Sequence, residues 1–64
     1  MGEVTVGDIF CEREEKIIVL GFENEGKAVF VNIAKFSKSG YMDEDSVSVG
    51  SLYKLKFIKN INDL

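Results

Sequence analysis

Residues 35–41, Lys-Phe-Ser-Lys-Ser-Gly-Tyr, carry the side chains best suited to holding a small ligand. Two lysines, two hydroxyl groups and a glycine can hold a phosphate through side-chain and backbone donors. The tyrosine ring can stack on a nucleobase. The simpler interpretation, which is preferred, is a polar turn whose lysines serve solubility. As a binding site, the segment would hold a phosphate-bearing ligand of nucleotide type. The candidate binding residues are Lys35, Ser37, Lys38, Ser39, Gly40 and Tyr41.

An acidic triplet, Asp43, Glu44 and Asp45, follows these residues. Its carboxylates are consecutive and lack the ligand spacing of a calcium-binding loop. No metal and no cofactor are therefore expected. The triplet is interpreted as a solvated acidic loop or as a contact for a basic surface of a partner protein.

Enzymatic chemistry is not expected from this chain. It has no histidine, so neither a Ser-His nor a Cys-His pair can form. The single cysteine, Cys11, is followed by Glu12 and has no basic cluster to activate it. Its glycines are scattered and form no phosphate-binding loop.

The length and charge of the chain limit what it can be. Sixty-four residues predict a single domain, 1–64, which is marginally stable alone without disulfides or a metal. The sequence therefore favours a homo-oligomer. The absence of a leader or a long apolar run, together with one cysteine, predicts a soluble cytoplasmic protein without membrane contact.

The net charge of −3 makes nucleic acid an unlikely partner, because duplex-binding domains carry a strong basic footprint. Lys54 and Lys56 alternate with apolar residues near the end of the chain, and Lys59 follows them. They are interpreted as protection of an exposed strand edge, with phosphate contacts as the alternative.

Two apolar runs, 16–23 and 27–36, flank the turn residues 24–26 and predict a long β-hairpin. Both faces of the second run are apolar, whereas a strand exposed on one side should alternate. The sequence places the row Val29, Val31 and Ile33 at an oligomer interface. Asn32, in the other row, must be hydrogen-bonded and either fixes register at that interface or marks a pocket.

Weaker patterns predict the remaining elements. A first strand spans 3–12 with a bend at Gly7, and Gly21 marks a second bend. Residues 37–46 are expected to form a polar loop, followed by a short strand near 46–49 and a last strand near 52–59. A helical turn starting at Ser48 is the alternative for the segment after the loop.

Five short strands in this order predict an all-β fold: a small, strongly bent, five-stranded antiparallel barrel. A short strand after Val-Gly-Asp, a long central hairpin, a polar loop and a closing strand resemble small SH3-like barrels of the type encoded by phages and mobile elements. An OB-like barrel is the alternative. The proline-binding surface of SH3 domains includes a tryptophan that this chain lacks, so the resemblance does not imply that activity.

The sequence is best explained by a non-enzymatic protein-interaction module that self-associates and binds a partner protein, whose activity it could inhibit. A small barrel with surplus apolar strand surface and no catalytic set motivates this interpretation. A nucleotide-type ligand-binding or sequestering protein is the alternative, and a nucleic-acid-binding barrel is the third.

Overall fold

Residues 3–63 are described by a computed structural model, and most of them lie in β-strands. The β-branched and aromatic residues that favour strands, together with the lack of proline, account for this. In chain order the elements are β1 (Asp8–Glu12), β2 (Glu15–Glu25), β3 (Ala28–Ser37), β4 (Gly40–Ser48), α1 (Val49–Leu52) and β5 (Lys56–Asn60). The protein is all-β, as predicted.

The strands form one antiparallel sheet in the order β4-β3-β2-β1-β5. The first four strands are neighbours both in sequence and in space, whereas β5 returns to pair with β1. The two ends of the sheet do not meet: within residues 3–63 no ladder joins β4 to β5. The sheet is therefore open, and the predicted closure into a barrel is wrong.

The central hairpin has the predicted position, but β2 is longer than predicted at both ends, and β3 begins and ends one residue later than predicted. Glu25 pairs with Ala28, so residues 26–27 form a two-residue turn. Gly26 has φ 62°, the left-handed conformation that the turn requires and glycine adopts without strain. The ladder shifts register between Val19 and Gly21, which confirms a bend at the second glycine.

β1 is shorter than predicted, because residues 3–7 are not part of the sheet. Gly7, with φ 91°, turns the chain into the strand as expected. Its backbone N–H donates to the Val19 carbonyl over 2.9 Å, and its own carbonyl accepts from the Ile61 N–H over 2.9 Å. This glycine ties the start of β1 to both the centre and the end of the fold.

The predicted polar loop 37–46 is wrong, because residues 40–48 form the edge strand β4. Only residues 38–39 lie between β3 and β4. Asp43 and Asp45 stand opposite Lys35 and Ile33 of β3. The ladder with β3 thus overrides the low strand preference of the acidic residues, which an exposed edge tolerates.

After β4 the chain takes the helical alternative. Ser48 is the N-cap of α1, so the strand near 46–49 is the end of β4 followed by one helical turn. The last strand covers Lys56–Asn60 rather than 52–59. It is an edge strand, so Lys56 and Lys59 lie where edge protection was expected.

The core lies on one side of the sheet, which we call the inner face. Its fully enclosed residues come from β1, β2, β3 and α1: Phe10, Ile17, Val19, Val31, Ile33 and Leu52. Two of the three residues in the predicted interface row lie in this core, since Val31 is 0% and Ile33 1% exposed within the single chain. Val29, at the end of this row, remains exposed.

Candidate functional site

An apolar groove opens on the inner side, where the sheet fails to close. It has a volume of about 310 Å³. Its lining joins the segment before β1, the strands β1 and β5, and the residues around α1: Glu3, Val4, Asp8, Phe10, Leu52, Tyr53, Leu55 and Phe57. The groove thus lies between parts of the chain that are far apart in sequence.

The groove has a fixed floor and an exposed aromatic rim. Phe10 and Leu52 belong to the core and form the floor. Phe57 packs edge-to-face on Phe10 with ring centroids 5.7 Å apart, yet it remains 51% exposed. Tyr53 is 45% exposed. Aromatic side chains that are held on one side and open on the other are typical anchors of binding surfaces.

A buried carboxylate stands at one end of the groove. The Asp8 side chain accepts hydrogen bonds from the Thr5 N–H over 2.9 Å, the Thr5 hydroxyl over 3.0 Å and the Asn60 side-chain amide over 2.8 Å. Burial raises the pKa of Asp8, but these three hydrogen bonds outweigh it and hold the pKa below its ordinary value. Asp8 therefore adds a negative charge to the groove at neutral pH, as does Glu3 at the rim.

The six predicted ligand-binding residues do not form one loop. Lys35 lies within β3, and its ammonium is 3.4 Å from the Asp45 carboxylate. Lys38 lies in the β3–β4 turn, with its ammonium 3.9 Å from the Glu14 carboxylate. Ser37 ends β3, Ser39 lies in the turn, and Gly40 and Tyr41 begin β4. Each lysine thus has an acidic neighbour rather than a vacant place for a phosphate.

A shallow depression does contain three of these residues. Ser37, Lys38 and Ser39 border it together with Met42 and the β1–β2 turn, residues 12–15. That turn contributes three glutamates against one arginine. The negative balance disfavours an anion there.

The acidic triplet lies on the edge strand β4 and is exposed. A hydrogen bond from the Ser46 N–H and the charge of Lys35 lower the pKa of Asp45. The Glu44 carboxylate accepts a 3.1 Å hydrogen bond from the Tyr41 hydroxyl. The triplet is therefore partly engaged in local contacts and offers an acidic border to that edge.

Asn32 points to the outer face of the sheet, opposite the core. Its amide donates to the Glu23 carboxylate over 3.2 Å, so it is hydrogen-bonded as expected. Both residues border a shallow depression with Leu20 and Gly21 at the β2 bulge. The bond spans the β2–β3 ladder and fixes the side chains of the central hairpin on that face.

Sequence reasoning missed the groove. The alternation of Tyr53, Leu55 and Phe57 was visible as a strand pattern, yet nothing local shows that this segment returns to β1. Val4 and Phe10 become part of the groove only through that return. The available signal was an excess of aromatic residues in a segment that also carries lysines.

Two further properties of residues 3–63 limit the chemistry. No group of three or more Asp, Glu or Cys side chains in that range is arranged to hold a metal ion. The helix α1 has four residues and cannot cross a membrane.

No family model, no curated protein and no solved structure matches this chain.

Proposed function

We propose that this protein is a non-enzymatic protein-interaction module that holds an apolar segment of a partner protein in the groove. The observation that carries the proposal is the aromatic rim, Tyr53 and Phe57, standing exposed above a floor of core residues. Burying such aromatic area supplies most of the affinity in many protein interfaces. Inhibition of the partner is a consequence if that segment is needed for its activity.

The size and charge of the groove indicate which partner side chains it would bind. A volume of about 310 Å³ is at the small end for ligand sites and suits one or two large side chains of an extended segment. Glu3 and Asp8 favour a lysine or arginine beside the apolar residue. The net charge of −3 adds a general attraction for basic partners.

Other features support related parts of the proposal. The long hairpin β2–β3 and the return of β5 to β1 support the resemblance to small SH3-like domains. The free thiol of Cys11 supports a cytoplasmic location. No observation favours nucleotide binding, because Lys35 and Lys38 each lie beside a carboxylate.

Selection from a displayed library of random linear peptides tests the proposal. Enriched peptides should share an aromatic or large aliphatic residue next to a lysine or arginine. A synthetic copy of the best peptide should shift the amide NMR signals of Leu55 and Phe57. The proposal is overturned if no peptide is enriched, or if the shifts lie elsewhere.

Matched variants sharpen the test. Tyr53→Ala should weaken the peptide about 5- to 100-fold, as truncation of an interface anchor does. Tyr41→Ala removes the other tyrosine, which is 59% exposed and outside the groove, and should leave the affinity unchanged. Equal effects of the two variants would argue against the groove.

A further inference from the structure

The outer face of the sheet carries an apolar stripe that the core does not use. Ile9 of β1 pairs with Ile18 of β2, which pairs with Ala34 of β3. In the neighbouring row, Phe36 of β3 pairs with Tyr41 of β4, and their rings pack edge-to-face with centroids 5.7 Å apart. We call these five residues the outer stripe.

Within residues 3–63 no further element packs over the outer stripe, and its members differ in exposure: Ala34 is 5% exposed, Ile9, Ile18 and Phe36 are half-buried, and Tyr41 is exposed. The core and α1 lie on the opposite face, with Ile17 and Val19 of β2 buried there on either side of Ile18. An antiparallel sheet that faces water normally presents polar residues on that side. Two half-buried isoleucines on adjacent strands, beside the buried Ala34, leave apolar surface on this face that a second molecule can cover.

Opposite charges stand at the two ends of this row. On the β5 side Ile9 pairs with Lys59, and on the β4 side Ala34 pairs with Glu44. The row thus runs from a positive to a negative end, with Ile18 at its centre. The two ends are four strand spacings apart, about 19 Å.

Such a row is complementary to a copy of itself. Two sheets packed face to face are related by a twofold axis that runs either along the strands or across them. The axis along the strands sets β5 of one copy against β4 of the other, so Lys59 meets Glu44. The axis across the strands sets each edge against its own copy, so like charges meet.

We propose that two copies of this chain associate through the outer stripe, with the twofold axis parallel to the strands and passing near Ile18. Lys59 of each copy then lies against Glu44 of the other, and Ile9 lies over Ala34. Lys16 lies on β2 in the next row toward the start of that strand. In this arrangement Lys16 of one copy faces Lys16 of the other, and the repulsion between the two ammonium groups limits the interface on that side. The inner groove stays open in this arrangement.

A zero-length carbodiimide crosslink tests the orientation directly. An equimolar mixture of ¹⁴N- and ¹⁵N-labelled protein is crosslinked, and mixed-isotope peptides are identified by mass spectrometry. A mixed-isotope amide between Lys59 and Glu44 is expected. Within one copy the backbones of β4 and β5 are four strand spacings apart, about 19 Å, which is too far for a zero-length crosslink between them. Absence of that crosslink in a sample shown to be dimeric would overturn the proposed arrangement.

A charge exchange tests the same contact by affinity. Sedimentation equilibrium of the native protein should show a dimer. Lys59→Glu and Glu44→Lys should each weaken it about tenfold, because two symmetry-related pairs become repulsive. The double variant should restore most of the affinity. A monomeric native protein, or a double variant no better than the single ones, would refute the pairing.

Ile18→Lys tests the apolar centre and should give a monomer at concentrations where the native protein is dimeric. Val6→Lys is the control, because Val6 is exposed but lies outside the outer stripe. This variant should stay dimeric. Both variants must keep the native NMR dispersion. A folded dimeric Ile18→Lys protein would show that another surface is used. Peptide binding in the groove should survive this change, so failure of either proposal is distinguishable from failure of the other.

Discussion

The side-chain amide of Asn60 donates a 2.8 Å hydrogen bond to the carboxylate of Asp8, linking residues 52 positions apart. The same amide reaches the Val6 carbonyl over 3.0 Å. These contacts hold the end of β5 against the start of β1, beside the last pair of the β1–β5 ladder. They also fix one end of the groove.

Asp8→Asn should destabilise the protein by about 1–3 kcal/mol at pH 7, because hydrogen bonds to a buried charged acceptor are weakened. Urea unfolding, followed by circular dichroism, measures this loss. Asp63→Asn is the control: it removes one negative charge at the exposed end of the described chain and should change stability little.

The pH dependence of the same pair has a definite sign. Because the folded-state pKa of Asp8 lies below its ordinary value of 3.8, its stabilising effect is complete above that value and is lost as the pH falls through the folded-state pKa. The stability difference between the native protein and Asp8→Asn should therefore shrink on going from pH 7 to pH 3. A difference that stays constant would contradict the assignment.

Gly7→Ala should be strongly destabilising. Its φ of 91° disfavours any side chain, and a Cβ there would lie 3.0 Å from Ile61 Cγ1. A loss of about 1–3 kcal/mol in unfolding free energy is expected. Gly21→Ala is the matched control, since nothing lies within 4 Å of its Cβ position. Equal losses in the two variants would show that the close approach at Gly7 is unimportant.

Ile33→Ala should cost about 2–5 kcal/mol, because Ile33 is 1% exposed in the core. Val29→Ala, in the same row but 43% exposed, should change stability by about 0.5 kcal/mol or less. Thermal unfolding of dilute protein compares the two. If Ile33→Ala weakened the dimer without lowering monomer stability, the row would be an interface after all.

Tyr41 should titrate above its ordinary pKa of 10.0, since partial desolvation of its hydroxyl, the hydrogen bond to Glu44 and the negative charges of Glu44 and Asp43 all favour the neutral phenol. Glu44→Gln should lower that pKa toward the ordinary value by removing a negative charge. Ultraviolet absorbance of a Tyr53→Phe background, which leaves a single tyrosine, follows the titration. An unchanged pKa in Glu44→Gln would contradict the contact.

Local patterns were enough to predict the fold class and the central hairpin. Residues 16–36 specify these through apolar runs and a turn signal that act over short distances. β4 was missed because its acidic residues resemble a loop, and only the ladder with β3 makes them a strand. The local sequence of β4 gives no signal of this pairing.

The use of the two apolar faces was predicted only in part. The sequence showed that both faces of β3 need cover, but not which one meets the core. Once α1 brings Leu52 over Val31 and Ile33, that row is inside and the row of Ala34 and Phe36 is outside. The groove was beyond reach for the same reason, since it depends on the return of β5.

The return of β5 to β1 also sets an order of events during folding. Strands β1 to β4 form successive hairpins, whose contacts are short in sequence and close quickly. β5 must close a loop of about fifty residues, from Asp8 to Asn60, before its ladder forms. Until that step β1 is an unprotected edge, and the groove does not exist. Competence to bind is thus acquired last, with the final strand.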